Sequence, residues 1–440
     1  MGGRPKSMGN PGMGMPPDEA GGGRRAEGAA ARGPHLKRSI SLPLITLYGL
    51  GTTVGAGIYV LVGKVAARAD LFTPAAFLVA GLIAGLTAFS FAELAARYPK
   101  SAGEALYVRE GLRSTKLALA VGLLVALSGV ISAGAITLGA AGYLMGQLAL
   151  PQELLVLPVV FLLGGLAAWG ILESVLAAAV FTLLEVGGLL LVIWAGAGGP
   201  AAPLARLPEL MPPFEPGVWS GIMAGAFLAF YAFIGFEDMV NVAEEVKRVR
   251  VTLPLAIVLT LVLTMLLYLS LTAVAVLSVP LGELADSTEP LALVYERAGG
   301  RYPAAIRLIA IFATLNGALI QVIMASRVLY GLSRQGALPA ALGAVLGRVD
   351  ARTRTPLIAT LLVTAAVLVL ALWLPIEALA AATSAVALLV FSLVNLALIM
   401  IKRRDPRPPG IWRVPSVIPI AGLLATGAFL GLELTRLAGA

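Results

Sequence analysis

Apolar stretches recur eleven times along this chain, separated by short polar or glycine-proline breaks. A helix rises 1.5 Å per residue, so about 20 apolar residues cross about 30 Å of hydrocarbon. The pattern predicts membrane-spanning helices over residues 44–63, 74–95, 117–148, 154–172, 175–197, 218–242, 254–279, 303–332, 356–374, 377–401 and 417–437. Residues 1–38 are rich in Gly, Pro and Arg and lack an apolar period, which predicts a disordered tail. No apolar core follows its first charges closely, so it does not read as a signal peptide.

Composition agrees with the pattern. Of the 440 residues, 59% are hydrophobic and 13% charged, and the mean hydropathy is +0.92. A soluble domain carries about 25% charged residues, so most of this surface is expected to face lipid. There is no cysteine, and the single histidine, His35, lies in the tail, where a solvated role is expected. Disulfides, thiolate chemistry and histidine-based catalysis are thereby excluded, and no cofactor or metal is expected. The net charge of +8 does not point to nucleic acid, because the charges flank the apolar segments.

Those flanking charges predict an orientation. With the N-terminus inside, 25 of the 32 Lys and Arg residues fall on the inner side and 7 on the outer. That asymmetry is the positive-inside pattern. Eleven spans then put the C-terminus outside.

Two spans differ from the rest. The first carries Gly51-Thr52-Thr53-Val54-Gly55-Ala56-Gly57 near its middle; the sixth carries Phe230-Tyr231-Ala232-Phe233-Ile234-Gly235-Phe236-Glu237-Asp238. Glycine is a poor helix former, and adjacent carboxylates are costly at membrane depth. The two spans are five helices apart, at matching places in two five-helix halves. Broken helices in such positions point to an inverted-repeat transporter with a midplane site. The division expected is a tail over 1–40, repeats over 41–200 and 201–402, and a loop with an eleventh helix over 403–440. Close packing alone better explains Gly81 and Gly85, and Gly217, Gly221 and Gly225, which have small-residue spacing without acidic neighbours.

Four motifs in order then resemble the amino acid–polyamine–organocation (APC) superfamily. They are Gly55-Ala56-Gly57-Ile58-Tyr59; Ser90-Phe91-Ala92-Glu93-Leu94 with Arg97-Tyr98-Pro99-Lys100-Ser101-Ala102-Gly103-Glu104; Phe233-Ile234-Gly235-Phe236-Glu237 with Glu244-Glu245-Val246-Lys247; and Ser326-Arg327-Val328-Leu329-Tyr330 with Gly336-Ala337-Leu338-Pro339. The chain is most similar to bacterial amino acid permeases related to cationic amino acid transporters. The resemblance implies an all-α, LeuT-type 5+5 inverted repeat that gives alternating access to a central site. Departures are Arg248-Val249 where the family usually has Asn-Pro, Gln335 where it often has an acid, and eleven spans where it often has twelve or more.

An amino acid zwitterion in a bilayer needs partners for both charges. The N–H groups that open the outer half of a helix broken at Gly55–Gly57 suit a carboxylate. The carbonyls that close the outer half of the sixth span, near Phe230–Phe233, suit an ammonium. The expected lining is Thr53, Gly55, Ala56, Gly57 and Ile58 from the first span, Ser132 and Ala133 from the third, Phe230, Tyr231, Ala232, Phe233 and Gly235 from the sixth, and Asn316 from the eighth. The resemblance implies that Tyr231 is an aromatic gate; a core-facing aromatic is the alternative. Asn316 could equally bridge neighbouring helices. Glu93, Arg97, Glu244, Glu245 and Lys247 are expected to be interfacial pairs worth ~0–1 kcal/mol each.

Glu185 lies about ten residues into the fifth span, ~15 Å deep. A charge there costs at least about 2.5 kcal/mol, which marks the residue as functional. The resemblance implies a lysine hereabouts in proton-coupled relatives, so an acid changes the mechanism. Glu185 is expected to carry a coupling proton. Binding Na+, pairing with a cationic substrate, and a purely structural hydrogen bond remain alternatives.

The function expected is secondary active transport of L-amino acids across a cytoplasmic membrane, proton-coupled, with the small-molecule substrate, H+ or Na+ and the bilayer as partners. Exchange, sodium symport and polyamine transport are the alternatives within that class. A nutrient sensor usually carries a long folded extension, an intramembrane enzyme needs catalytic pairs within the spans, and a channel fits the motifs less well. The chain is not expected to be an enzyme.

Overall fold

Proline starts several of the helices. Pro43, Pro74 and Pro216 sit in the first turn of their helices, where a missing N–H costs nothing and φ is already set. At the other end of the tenth span, Lys402, Arg403 and Arg404 occupy the last turn, opposite the negative end of the helix dipole. The computed structural model describes residues 1–2, 39–100, 103–148, 150–169, 175–199, 203–334, 338–353 and 355–439. The expected tail with His35, and the motif residues Ser101, Ala102, Gln335, Gly336 and Ala337, lie outside the described residues, as does the side chain of Ala56.

Among the described residues, eleven apolar helical elements correspond one for one to the eleven predicted. They are α1 (Leu42–Ala69), α2 (Thr73–Arg97), α3 (Thr115–Leu148), α4 (Gln152–Trp169), α5 (Val175–Ala197), α6 (Pro216–Phe230, continued as 3-10 turns over Tyr231–Phe233 and Phe236–Glu245), α7 (Val249–Ser278), α8 (Pro303–Arg334), α9 (Leu357–Trp373), α10 (Ile376–Arg404) and α11 (Val417–Gly439). Short helices over Gly103–Leu112, Leu281–Asp286, Pro290–Arg297 and Ala340–Leu346 fill the connections. The chain is a multi-pass helical membrane protein. Its outward side chains include Leu82, Phe161, Leu361 and Leu424, and Trp169, Trp194 and Trp373 stand exposed near helix ends, where indoles favour the bilayer interface.

Residues 38–440 form one unit. Within it, α1 packs on α6, α2 on α7, α3 on α8 and α4 on α9, so each of the first four helices meets the one five places on. The segment before α1 is tied to the end of α6. Ser39 and Ile40 donate their N–H groups to the Glu245 carbonyl at 2.9 and 3.0 Å, and Lys247 N–H donates to the Ile40 carbonyl at 2.9 Å. This makes a single parallel bridge between Ile40 and Val246. We name the two ends of the bundle after Lys64 and Arg97, at the far ends of α1 and α2.

Candidate functional site

Both expected breaks are present. Helix α1 leaves helical geometry at Gly55 (φ −11°, ψ −118°). Helix α6 gives way to a 3-10 turn after Phe230 and breaks at Ile234, which is extended, and Gly235, at φ +128°. Its continuation is 3-10 rather than α, and Glu237 caps it by accepting the Gly235 N–H at 2.8 Å. The two breaks touch. Thr52 donates its hydroxyl to the Gly235 carbonyl at 2.9 Å, and a Cβ on Gly235 would run into the Thr52 carbonyl. Positive φ and this approach together require glycine.

Where the breaks meet lies a cavity of about 30 Å³, lined by Gly51, Thr52, Thr53, Gly55, Gly57, Ser132, Ile136, Tyr231, Ile234, Gly317, Ile320 and Gln321. Five of the residues expected there line it: Thr53, Gly55, Gly57, Ser132 and Tyr231. Tyr231 and Ser132 share a hydroxyl hydrogen bond of 3.0 Å, and Thr53 presents a buried hydroxyl with no hydrogen-bond partner among the described residues. Ile58, Ala133, Phe230, Ala232, Phe233 and Gly235 are not part of this wall. Ala133, Phe230, Ala232 and Phe233 are buried in the packing behind it. The face that α8 turns to the cavity carries Gly317, Ile320 and Gln321 rather than Asn316.

Tyr268 of α7 was not among the expected residues and holds the breaks together. Its hydroxyl lies 2.9 Å from the Ala232 carbonyl and 3.1 Å from the Thr53 carbonyl. Its ring packs edge-on against Phe77 and Phe233. A signal existed in the sequence: Thr260, Thr264, Tyr268 and Thr272 recur every fourth residue, a polar stripe down one face of an otherwise apolar helix.

Glu185 is 2% exposed and lies behind the α1 break, outside the cavity wall. Tyr59 donates its hydroxyl to the Glu185 carbonyl at 2.6 Å, and Tyr143 donates to the Tyr59 carbonyl at 2.7 Å. The Glu185 carboxyl is within electrostatic reach of the Tyr59 and Tyr268 hydroxyls. It therefore lies close to Tyr268, which holds the two breaks together, and to Tyr59 of α1.

A tight layer of side chains and two further spaces lie around the cavity. Toward Lys64, a tight layer of Val60, Leu61, Ala135, Ile136, Tyr231 and Ile376 roofs the cavity. Beyond that roof opens a vestibule of about 370 Å³, walled by residues including Val60, Lys64, Gln152, Ser287, Thr288, Ile376 and Glu377. Toward Arg97, a second space of about 30 Å³ shares Ser132, Ile234 and Gln321 with the cavity and carries Glu104, Glu237 and Asp238. Burial pushes the Glu104 carboxyl, in the helix between α2 and α3, up to about 7, and the Asp238 charge adds to the rise.

The Arg97 end corrects one expectation. Glu93 is not a weak interfacial group but fully buried. It accepts Arg97 at 2.7 and 2.9 Å, Lys402 Nζ at 2.7 Å and the Val414 N–H at 2.8 Å. One carboxylate thus joins α2, α10 and the segment leading to α11. Sequence spacing exposes Arg97, four residues on, but not Lys402, which is 309 positions away.

Comparison with known proteins places this architecture. The family of amino acid permeases matches residues 40–434. The chain is 30% identical to cationic amino acid transporter 2, vacuolar, of Arabidopsis thaliana, over 91% of this chain and 66% of that protein. It is 28% identical to the branched-chain amino acid permease BcaP of Bacillus subtilis (88% and 86% covered), and 26% identical to that organism's methylthioribose transporter (91% and 89%). The chain spans slightly under two thirds of the length of the plant relative. With the broken helices, the motifs around them and a match over most of its length, the chain belongs to the amino acid permease family.

Proposed function

We propose that this protein is a secondary transporter of L-amino acids that works by alternating access, with the cavity between the α1 and α6 breaks as its central site. The observation that carries this reading is the mutual approach of Thr52 and Gly235, which brings both broken backbones to one point inside the bundle. The substrate carboxylate meets the N–H groups that start the outer half of α1, and the ammonium meets the carbonyls that end the outer half of α6. Charge-assisted bonds of this kind are about twice as strong as neutral ones. Ser132 and Tyr231 close the wall. A cavity of about 30 Å³ holds little more than a water, so the site widens when substrate enters. The relatives' names favour cationic or branched-chain amino acids as the first candidates.

In this reading the Arg97 end is cytoplasmic and the Lys64 end external, following the 25-to-7 division of basic residues. The protein sits in the cytoplasmic membrane with residues 1–38 inside. Glu185 carries the coupling proton, with Na+ as the alternative ion. Uptake of twenty radiolabelled amino acids, three polyamines and methylthioribose into proteoliposomes tests the assignment. Accumulation of an L-amino acid supports it. Uptake of polyamine or methylthioribose alone, with no amino acid competing, refutes it.

A further inference from the structure

Residues 405–416 cross from the end of α10 to the start of α11 at the Arg97 end, without helix or strand. They are nevertheless pinned. Val414 donates its N–H to Glu93 at 2.8 Å and accepts Lys402 Nζ on its carbonyl at 2.7 Å. Arg97 donates to the Asp405 carbonyl at 3.0 Å, and Pro406, Pro408, Pro409 and Pro415 restrict the backbone between and beyond. Val414 is turned inward, 6% exposed, which leaves its neighbours Arg413 and Pro415 on the surface. Trp412, 40% exposed, stacks on Phe89 of α2 with ring centroids 6.3 Å apart.

The charge around this connector is one-sided. Lys402, Arg403, Arg404, Arg407 and Arg413 stand against Asp405 alone. Lys402 is held by Glu93, and Asp405 by Arg97. Arg404 lays its guanidinium on the carbonyls of Met400, Glu110 and Gly111. Arg403, Arg407 and Arg413 are exposed and have no carboxylate within ion-pair distance among the described residues. Just beyond them, Val417 and Ile420 of α11 are 63% and 44% exposed. The surface thus passes within a few residues from unpaired guanidinium groups, past an indole, to an apolar helix face.

We propose that this connector is a binding site for an anionic phospholipid, with Arg407 and Arg413 on its phosphate and its acyl chains running past Trp412 and Val417. Guanidinium groups match phosphate oxygens in pairs, and indoles favour the level of the headgroups. A free phosphate gains nothing from Trp412 or Val417, and a zwitterionic lipid brings a cation of its own toward the arginines. Val414 belongs both to this connector and to the Glu93 junction. A bound lipid therefore steadies the joint of α2, α10 and α11, whatever the protein carries.

The test uses the full chain in dodecylmaltoside micelles, titrated with dioleoylphosphatidylglycerol, dioleoylphosphatidylcholine or inorganic phosphate. The first is expected to raise the thermal midpoint by several degrees, and the other two are not. Arg407→Gln combined with Arg413→Gln is expected to raise the half-effect concentration of the anionic lipid about thirtyfold, since each basic residue near an anionic surface contributes about a fivefold preference. Arg348→Gln combined with Arg352→Gln removes the same charge from exposed positions between α8 and α9 and is expected to leave the titration unchanged. An undiminished shift in the first double variant, an equal loss in both, or stabilisation by phosphate alone overturns the proposal. A second readout needs no arginine variant. Lipids with dibrominated chains quench nearby indoles, and the Trp412 contribution is the difference between wild type and Trp412→Phe, which keeps a ring against Phe89. That contribution is expected to be quenched more by the brominated anionic lipid than by the brominated zwitterionic one. Equal quenching by the two refutes the site.

Discussion

Gly57 of α1 faces the backbone of Ala232 in α6 so closely that a Cβ on Gly57 would stand 2.6 Å from the Ala232 Cα. Two residues away, a Cβ on Gly55 would have no tertiary neighbour within 4 Å among the described residues. The neighbouring glycines therefore fail differently on substitution. Gly57→Val forces α1 and α6 apart and is expected to lower stability by ~1–3 kcal/mol and to abolish uptake. Gly55→Ala is expected to leave the thermal midpoint almost unchanged while weakening substrate affinity. Thermal unfolding and uptake measured together separate the two; equal midpoints for both variants would contradict the contact.

Tyr268→Phe keeps the ring and removes the hydroxyl shared by the Thr53 and Ala232 carbonyls. Leaving two buried carbonyls without that donor is expected to cost ~1–3 kcal/mol. Uptake should fall with it, because both breaks lose a common anchor. Wild-type stability and transport in this variant would mean that the breaks hold their shape unaided.

Glu93→Ala removes the partner of a buried lysine. An unpaired buried charge costs ~3–5 kcal/mol, so the variant is expected to yield little folded protein. Lys402→Met in the same chain should restore part of the yield, since one of the two cations that Glu93 balances is then gone, and the other, Arg97, keeps Asp405. Size-exclusion profiles of the single and double variants check this; identical losses would exclude a specific Glu93–Lys402 dependence.

Glu104 gives a pH signature. Its carboxyl titrates near 7 in the folded protein, against an ordinary value of 4.5. The folded state thus favours the protonated form. This group's destabilising effect is absent below about pH 4.5, grows as pH rises toward 7, and reaches at most about 3 kcal/mol above that. Glu104→Gln is expected to remove the decline, so its gain over wild type is larger at pH 8 than at pH 5. An equal difference at both values would show that the carboxyl is not held protonated.

Glu185→Gln tests coupling. Under an imposed pH gradient the variant is expected to lose concentrative uptake while retaining exchange. A sodium gradient applied separately identifies the alternative ion. Equal accumulation and pH dependence in both proteins would remove Glu185 from the coupling step.

What the sequence made legible depended on contrast. Gly55, Gly57 and Gly235 stood out because glycine weakens a helix and each sat at a matching point of a repeated pattern. Tyr231 followed from its place just before the sixth-span break, whereas Ser132 was one of two adjacent third-span candidates, of which only it lines the cavity. Asn316 shows where that reasoning stops. Helix α8 is apolar on most faces, so its rotation cannot be read from hydrophobicity, and a shift of one position turns the wall from Asn316 to Gly317. Tyr268 lay in a visible stripe, but its two carbonyl partners depend on how α7 packs against both broken helices. The burial of Glu93 depends on Lys402, and no local pattern in either helix reports the other.

The bridge between Ile40 and Val246 gains meaning beside the contact between Thr52 and Gly235. The halves of α1 and α6 toward the Arg97 end are fastened at two levels, once where each breaks and once at their ends. Two fixed rungs make a ladder, and a ladder resists sliding and splaying between its rails. In the alternating-access reading proposed above, the two half-helices would swing as one lever, with its fulcrum in their contacts with the other helices. A pull applied at residue 39, just ahead of the lower rung, would reach the cavity between the breaks through both rails at once.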